Sequence, residues 1–215
     1  SRALKKIKAR RGRPRTIVDC PWSKWAKTRR INQLKRLQER LKPGEILVYE
    51  DEVDIHLNPK IGLDWMNRGT QKEVLTPGQN KKRYLAGAVN AETGELVVVE
   101  GDRKNSDLFL KLLEKLKRKY PQAKRIYVIL DNYRIHSSKI VNAALANHLS
   151  NMALQFLPPY CPNENRIERI WKDLHDQVTR NHRHPTLAEL MMDVRRFVKR
   201  YNRRRKRIYQ LQFAA

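Results

Sequence analysis

Apolar positions follow two rhythms along this chain. From Ser23 to Leu41 they fall at helical spacing, with Trp25, Ile31, Leu34, Leu37 and Leu41 separated by Arg and Lys, until Pro43-Gly44 stops the pattern. Short continuous apolar runs then predict strands over Glu45–Glu52, Lys82–Asn90 and Glu95–Gly101. The last two are joined at Ala91-Glu92-Thr93-Gly94, a hairpin signal. Between Asp54 and Asn80 lies a Gly/Pro/Asn-rich excursion containing Trp65, with room for a short strand pair. Ser106 is expected to cap a helix to about Tyr120, with Leu108, Leu112, Leu113 and Leu116 as its buried stripe and Pro121 at its end. A strand over Arg125–Asp131, a helix over Ser137–Leu149 and a short strand over Met152–Leu157 follow. Pro158-Pro159 and Pro162 stiffen a loop, and a helix runs on to about Val178. Thr186, with Glu189 three residues on, forms a capping box for the last helix. Its apolar face is Leu187, Leu190, Met191, Val194, Phe197, Val198 and Tyr201.

The order β-β-β-α-β-α-β-α-α predicts an α/β fold: one mixed sheet with helices on both faces. The chain is expected to divide into a basic arm over 1–22, a linking helix over 23–44, a main α/β domain over 45–205 and a tail over 206–215. There is no internal repeat.

Charge adds a partner. The chain's 47 Lys/Arg against 22 Asp/Glu give +25 and a pI near 10.4, well beyond what a solvated surface needs, and nucleic acid is the expected partner. Arg11-Gly12-Arg13-Pro14-Arg15 resembles the core of an AT-hook: Pro14 holds the backbone extended so that Arg11, Arg13 and Arg15 can follow a narrow minor groove. A solvated basic linker is the alternative. Further DNA-contact candidates are Lys24, Arg29 and Arg30 on the linking helix, Arg180 and His182 in a loop with His175 and His184, and Arg203 and Arg204 near the end. Those histidines lack the usual Cys/His spacing of a zinc site. No apolar stretch approaches the roughly 18 residues of a membrane span, so no membrane partner is expected. Two cysteines, Cys20 and Cys161, point to a reducing compartment. Because the chain starts at Ser1, a missing upstream segment is expected.

Three carboxylates carry the chemistry. Asp51 and Asp131 each follow an apolar strand, and side-chain alternation puts Asp51 on the face of Leu47 and Tyr49 and Asp131 on the face of Tyr127 and Ile129. If the strands are neighbours, the two carboxylates emerge together and need a cation or a proton between them. Glu168 sits beside a buried helical stripe of Ile167, Ile170, Trp171 and Leu174 and can reach such a site. It could instead only serve Asn165 in a capping-box arrangement. Glu52 points the other way if the strand continues and, with Asn132 and His136, is a candidate to support the site from behind. A turn role for Asn132 and a structural role for His136 stay open.

Together these segments resemble a DDE transposase of the bacterial insertion-sequence branch of the mariner superfamily. The matching pieces are Tyr49-Glu50-Asp51-Glu52, Asp131-Asn132 with His136, and Leu157-Pro158-Pro159-Tyr160-Cys161-Pro162 running into Asn165-Arg166-Ile167-Glu168-Arg169-Ile170-Trp171-Lys172. Trp65 followed by Gly69 also fits, and the likeness covers about residues 45–200. Cys161 stands where the family usually has serine and Arg166 where it has proline; Arg166 could contact DNA instead. The resemblance implies a ribonuclease H-like fold with Asp51, Asp131 and Glu168 as both catalytic and metal-binding residues. It implies two Mg²⁺ or Mn²⁺ ions, and DNA partners in the form of terminal inverted repeats and target DNA. It further implies cut-and-paste movement, commonly into TA, by a homodimer or larger assembly in the bacterial cytoplasm at the nucleoid. A non-catalytic DNA-binding derivative and another ribonuclease H-like nuclease are the alternatives.

Overall fold

The computed structural model describes residues 18–213. Arg11, Arg13 and Arg15 of the AT-hook-like segment lie outside the described residues. The apolar runs form a five-stranded sheet in the order β3-β2-β1-β4-β5, from β1 (Glu45–His56), β2 (Lys82–Asn90), β3 (Leu96–Gly101), β4 (Arg125–Leu130) and β5 (Met152–Phe156). The first three pair antiparallel, while β4 runs parallel to β1 and β5 parallel to β4. Among the described residues five α-helices accompany them: α1 (Lys24–Glu39), α2 (Ser106–Lys119), α3 (Lys139–Ala146), α4 (Ile167–Leu174) and α5 (Leu187–Phe213). This is the expected mixed sheet with helices on both faces.

Alternation along β1 feeds two separate cores. Leu47, Tyr49, Val53 and Ile55 pack with Leu34 of α1, with Ile167, Ile170 and Trp171 of α4, and with Leu190, Val194 and Phe197 of α5. Val48 belongs to the opposite core, with Leu108, Phe109, Leu112 and Leu116 of α2 and Val141 and Ala144 of α3. The central strand is therefore covered on both sides, and a polar residue inside it needs a reason.

Several boundaries differ from expectation. β1 continues past Glu52 to His56, because β2 pairs with it as far as His56↔Lys82. The 57–81 excursion contains no strand pair among the described residues, only an isolated bridge between Lys60 and Arg180, and Leu63, Trp65 and Leu75 are exposed. Asn105, not Ser106, caps α2: its side-chain oxygen accepts from the Leu108 N–H at 3.1 Å, and the Ser106 hydroxyl donates to the Ile135 carbonyl at 2.9 Å. The helix expected over 137–149 is split into a 3-10 turn, Arg134–Ser137, and α3, since Ser138 between them is extended (ψ 157°). α4 ends at Leu174 and passes into a π-helical turn, His175–Thr179. Residues 206–213, expected as a separate tail, continue α5, and Tyr209 Oη donates to Glu92 at 3.1 Å. Among the described residues no helix is long and apolar enough to cross a membrane.

Candidate active site

The parallel ladder between β1 and β4 ends at Tyr49↔Ile129, and Asp51 and Asp131 each stand two residues beyond that pair. β4 stops at Leu130 while β1 runs on, so Asp51 is presented where its neighbour strand leaves its flank. Two contacts bring α4 onto the same edge. Asn165 donates its side-chain N–H to the Glu50 carbonyl at 2.7 Å, pinning the start of α4 to β1. Gly87, the β2 partner of Asp51, leaves room for Trp171: a Cβ there would lie 2.6 Å from the indole ring. With the edge of the Trp171 ring against Gly87, Glu168, one turn earlier, lines the same cavity as the two aspartates. Asp51, Asp131 and Glu168 line one cavity of about 540 Å³, walled by Tyr133 and by the Leu157–Pro162 loop. Asn132 ties the wall down by donating to the Leu157 carbonyl at 2.6 Å. Cys161 is a free thiol, as is Cys20, and donates to the Pro159 carbonyl at 3.3 Å.

The electrostatics are those of crowded negative charge. Burial, then the charges of Glu168 and Glu52, push the Asp51 carboxyl up to about 8. Burial and the neighbouring Asp131 raise Glu168 as well. Asp131 behaves differently. Burial works against its charge, but hydrogen bonds from His136 Nε2 (3.1 Å) and the Tyr133 N–H (2.8 Å) win and hold it below the usual carboxylate range. Of three like charges, the one with fixed donors stays ionised and the others share the cost.

On the other face of β1 lies a second acidic group that sequence reasoning caught only in part. Glu50 and Glu52 are buried, and no hydrogen bond reaches either oxygen of Glu50. Burial, then Glu52, Asp51 and Asp131, raise the Glu50 carboxyl well above its ordinary value. His136 Nε2 lies 3.9 Å from Glu50 and 4.0 Å from Glu52, and its ring stands edge-on to Phe109 at 4.5 Å. The ligand atoms of Glu50, Glu52 and His136 all lie within 4.8 Å of one another, but the three are sealed from solvent, whereas Asp51, Asp131 and Glu168 open onto a cavity. Lys104, from the β3–α2 loop, is the residue that sequence reasoning missed altogether. Its Nζ lies 3.3 Å from Glu52 and 4.9 Å from the centre of the Tyr133 ring. No local motif marks it, because only the fold brings its loop to the acids.

The residues expected to touch DNA divide. Lys24, Arg29, Arg203 and Arg204 are exposed. Arg30 is committed within the protein, donating to the Phe156 carbonyl at 2.9 Å and to Gln155 at 3.2 Å. Arg180 bonds Asp176. His182, expected to face outward, is instead buried, with Nε2 3.4 Å from the His56 carbonyl. Arg166 lies over the Tyr49 ring at 5.1 Å and donates to the Ala91 carbonyl at 3.3 Å. A groove of about 540 Å³ between α4, α5 and the β2–β3 turn gathers Arg166, Arg169, Arg200, Arg204 and Arg205.

This arrangement has relatives. Residues 46–191, most of the chain and all three cavity acids, match the family model described as DDE superfamily endonuclease. The chain belongs to that family. It is 49% identical over 150 residues to the insertion element IS630 uncharacterized 39 kDa protein of Shigella sonnei, a match covering 70% of this chain and 43% of that protein. The chain thus spans less than half the length of that relative. Among solved structures it is similar to a Mos1 transposase paired-end complex with the left transposon end (TM-score 0.62, 16% identity, 97% of this chain and 67% of the other). A Mos1 mariner paired-end complex with Mn gives the same TM-score, identity and coverage. The ribonuclease H-like fold and the likeness to insertion-sequence and mariner DDE transposases, both expected from the motifs, are borne out.

Proposed function

We propose that the chain is the catalytic domain of a DNA transposase that cuts the ends of a transposable element and joins the freed 3′-hydroxyl to target DNA. The observation that carries this reading is the convergence of Asp51, Asp131 and Glu168 on one cavity. Their donors are all carboxylate oxygens, the set that hard divalent cations take, and the raised Asp51 and Glu168 mark a place where ionising the acids is costly until a cation offsets their charge. On this reading the three acids hold two Mg²⁺ or Mn²⁺ ions. Ions bound there supply the charge that activates a hydroxyl nucleophile and steadies the leaving oxygen of a phosphodiester.

The chain's own residues do the positioning. His136 and the Tyr133 N–H fix the Asp131 carboxylate, Asn165 fixes the start of α4, and Trp171 against Gly87 sets how closely Glu168 approaches. The arginine groove beside α4, with the exposed Lys24 and Arg29 of α1 and Arg203 of α5, supplies the phosphate contacts that hold a duplex. Terminal inverted repeats are the first substrate and target DNA, at TA, the second. The solved relatives are paired-end complexes, which supports action by a homodimer or larger assembly; the expected place of action is the bacterial nucleoid.

Cleavage of terminal-repeat duplex in Mn²⁺ tests the reading. Asp131→Asn should retain the fold and bind DNA but lose cleavage by at least about a thousandfold, a loss of several kcal/mol of transition-state stabilisation. Undiminished cleavage by that variant would remove Asp131 from the chemistry.

A further inference from the structure

We infer that Lys104 is a built-in counter-ion of the acidic site, holding the carboxylates together before divalent ions arrive and setting how tightly those ions bind. The inference rests on the metal-binding reading above and adds to it a residue of no motif. Five carboxylates, Glu50, Asp51, Glu52, Asp131 and Glu168, gather where the pairing of β1 with β4 ends, and the charge of Lys104 favours the ionised form of each. Geometry makes the contact specific. Nζ is 3.3 Å from Glu52, whose carboxylate is 1% exposed, and it rests over the face of Tyr133, which lines the cavity. The loop carrying Lys104 is anchored one residue later, where Asn105 caps α2.

The physics has a definite sign. Without ions, the ammonium offsets repulsion that burial makes expensive. A dication entering the cavity meets the like charge of Lys104, which rests on the Tyr133 ring that lines it, so part of its attraction to the acids is cancelled. Lys104 therefore weakens ion binding while it steadies the empty site. Removing it should tighten the ions and loosen the ion-free fold, two changes of opposite direction that a purely structural lysine would not produce together.

The test is calorimetric titration of the full chain with Mn²⁺ alone, paired with thermal melts in chelator. Lys104→Met should bind Mn²⁺ at least about tenfold more tightly than the parent, from loss of one charge at short range in a partly buried site. Its melting temperature in chelator should fall. Lys104→Arg keeps the charge and should restore the parent affinity. Arg103→Met removes an equal charge from an exposed neighbour and should leave the affinity within about twofold, since solvent screens it. If the methionine variant does not fold, Lys104→Gln takes its place. Mn²⁺ affinity unchanged or weaker in the folded Lys104 variant overturns the counter-ion role and leaves the triad reading standing. A parent chain that binds no Mn²⁺ at all overturns both.

Discussion

β1 carries carboxylates on both of its faces, and the two sets live under opposite conditions. Asp51 opens with Asp131 and Glu168 onto a cavity of about 540 Å³. Glu50 and Glu52, its sequence neighbours, turn into the opposite face, where they are buried against His136 and within reach of Lys104. The chemistry of the two groups is alike; their access to solvent and substrate is not. An open acidic set can exchange its protons for cations and meet a phosphate. A sealed set of the same composition can only shape the field and hold its neighbours in place.

That contrast is broken most directly by exchanging charge on each face in turn. Asp51→Asn should abolish metal-dependent cleavage, by about a thousandfold or more, with the fold intact. Glu50→Gln, one residue away, should lower it by no more than about tenfold, because Glu50 is sealed from the cavity that ions and substrate enter. Equal losses in a nicking assay would mean that the two faces work as one site.

The link between the faces is His136. His136→Phe keeps the contact with Phe109 but removes the donor to Asp131 at 3.1 Å. Cleavage should fall about 10- to 100-fold, as for loss of a partner that orients a ligand, and Mn²⁺ affinity should weaken with it. A variant that loses neither would make His136 merely structural.

Gly87→Ala tests the packing that sets the site's width. The added methyl meets the Trp171 ring at 2.6 Å and Ile167 at 3.2 Å, so α4 must shift. The expected cost is about 1–3 kcal/mol in chemical denaturation, with a cleavage defect larger than the small loss of stability explains. Cleavage at the parent rate would show that Glu168 tolerates movement of α4.

The smallest effect is on the pH dependence of ion-free stability. Asp51 titrates near 8 in the folded chain and near 4 when unfolded. Between those values the folded form binds the extra proton, so this group's contribution is present at low pH and is lost as pH rises towards 8. Asp51→Asn should therefore stabilise the ion-free protein relative to the parent at pH 8 and much less at pH 5. Melting curves in chelator at the two pH values measure the difference.

Much of this was legible in the sequence because strands buried on both faces read as continuous apolar runs. The strands over Arg125–Asp131 and Lys82–Asn90 are read that way; alternation and helical spacing make Asp51, Asp131 and Glu168 candidates, and the family resemblance selects them as a set. Glu50 was harder. Its parity places it in a core, where an acid is not expected, and only the fold shows that His136 and Lys104 approach it. Gly87 gave no signal either, since its role is the absence of a side chain opposite Trp171. The end of β1 was misread because its pairing with β2 outlasts its apolar run. The helix over 137–149 was misread because Ser138 adopts an extended backbone that apolar spacing cannot reveal.

The central claim is that the open face, and not the sealed one, is the seat of divalent ions. A crystal of the full chain with Mn²⁺, imaged at the manganese absorption edge, tests it. Anomalous peaks about 2.0–2.3 Å from carboxylate oxygens of Asp51, Asp131 and Glu168 are the expected result. Peaks held by Glu50, Glu52 and His136, with the cavity empty, would contradict it.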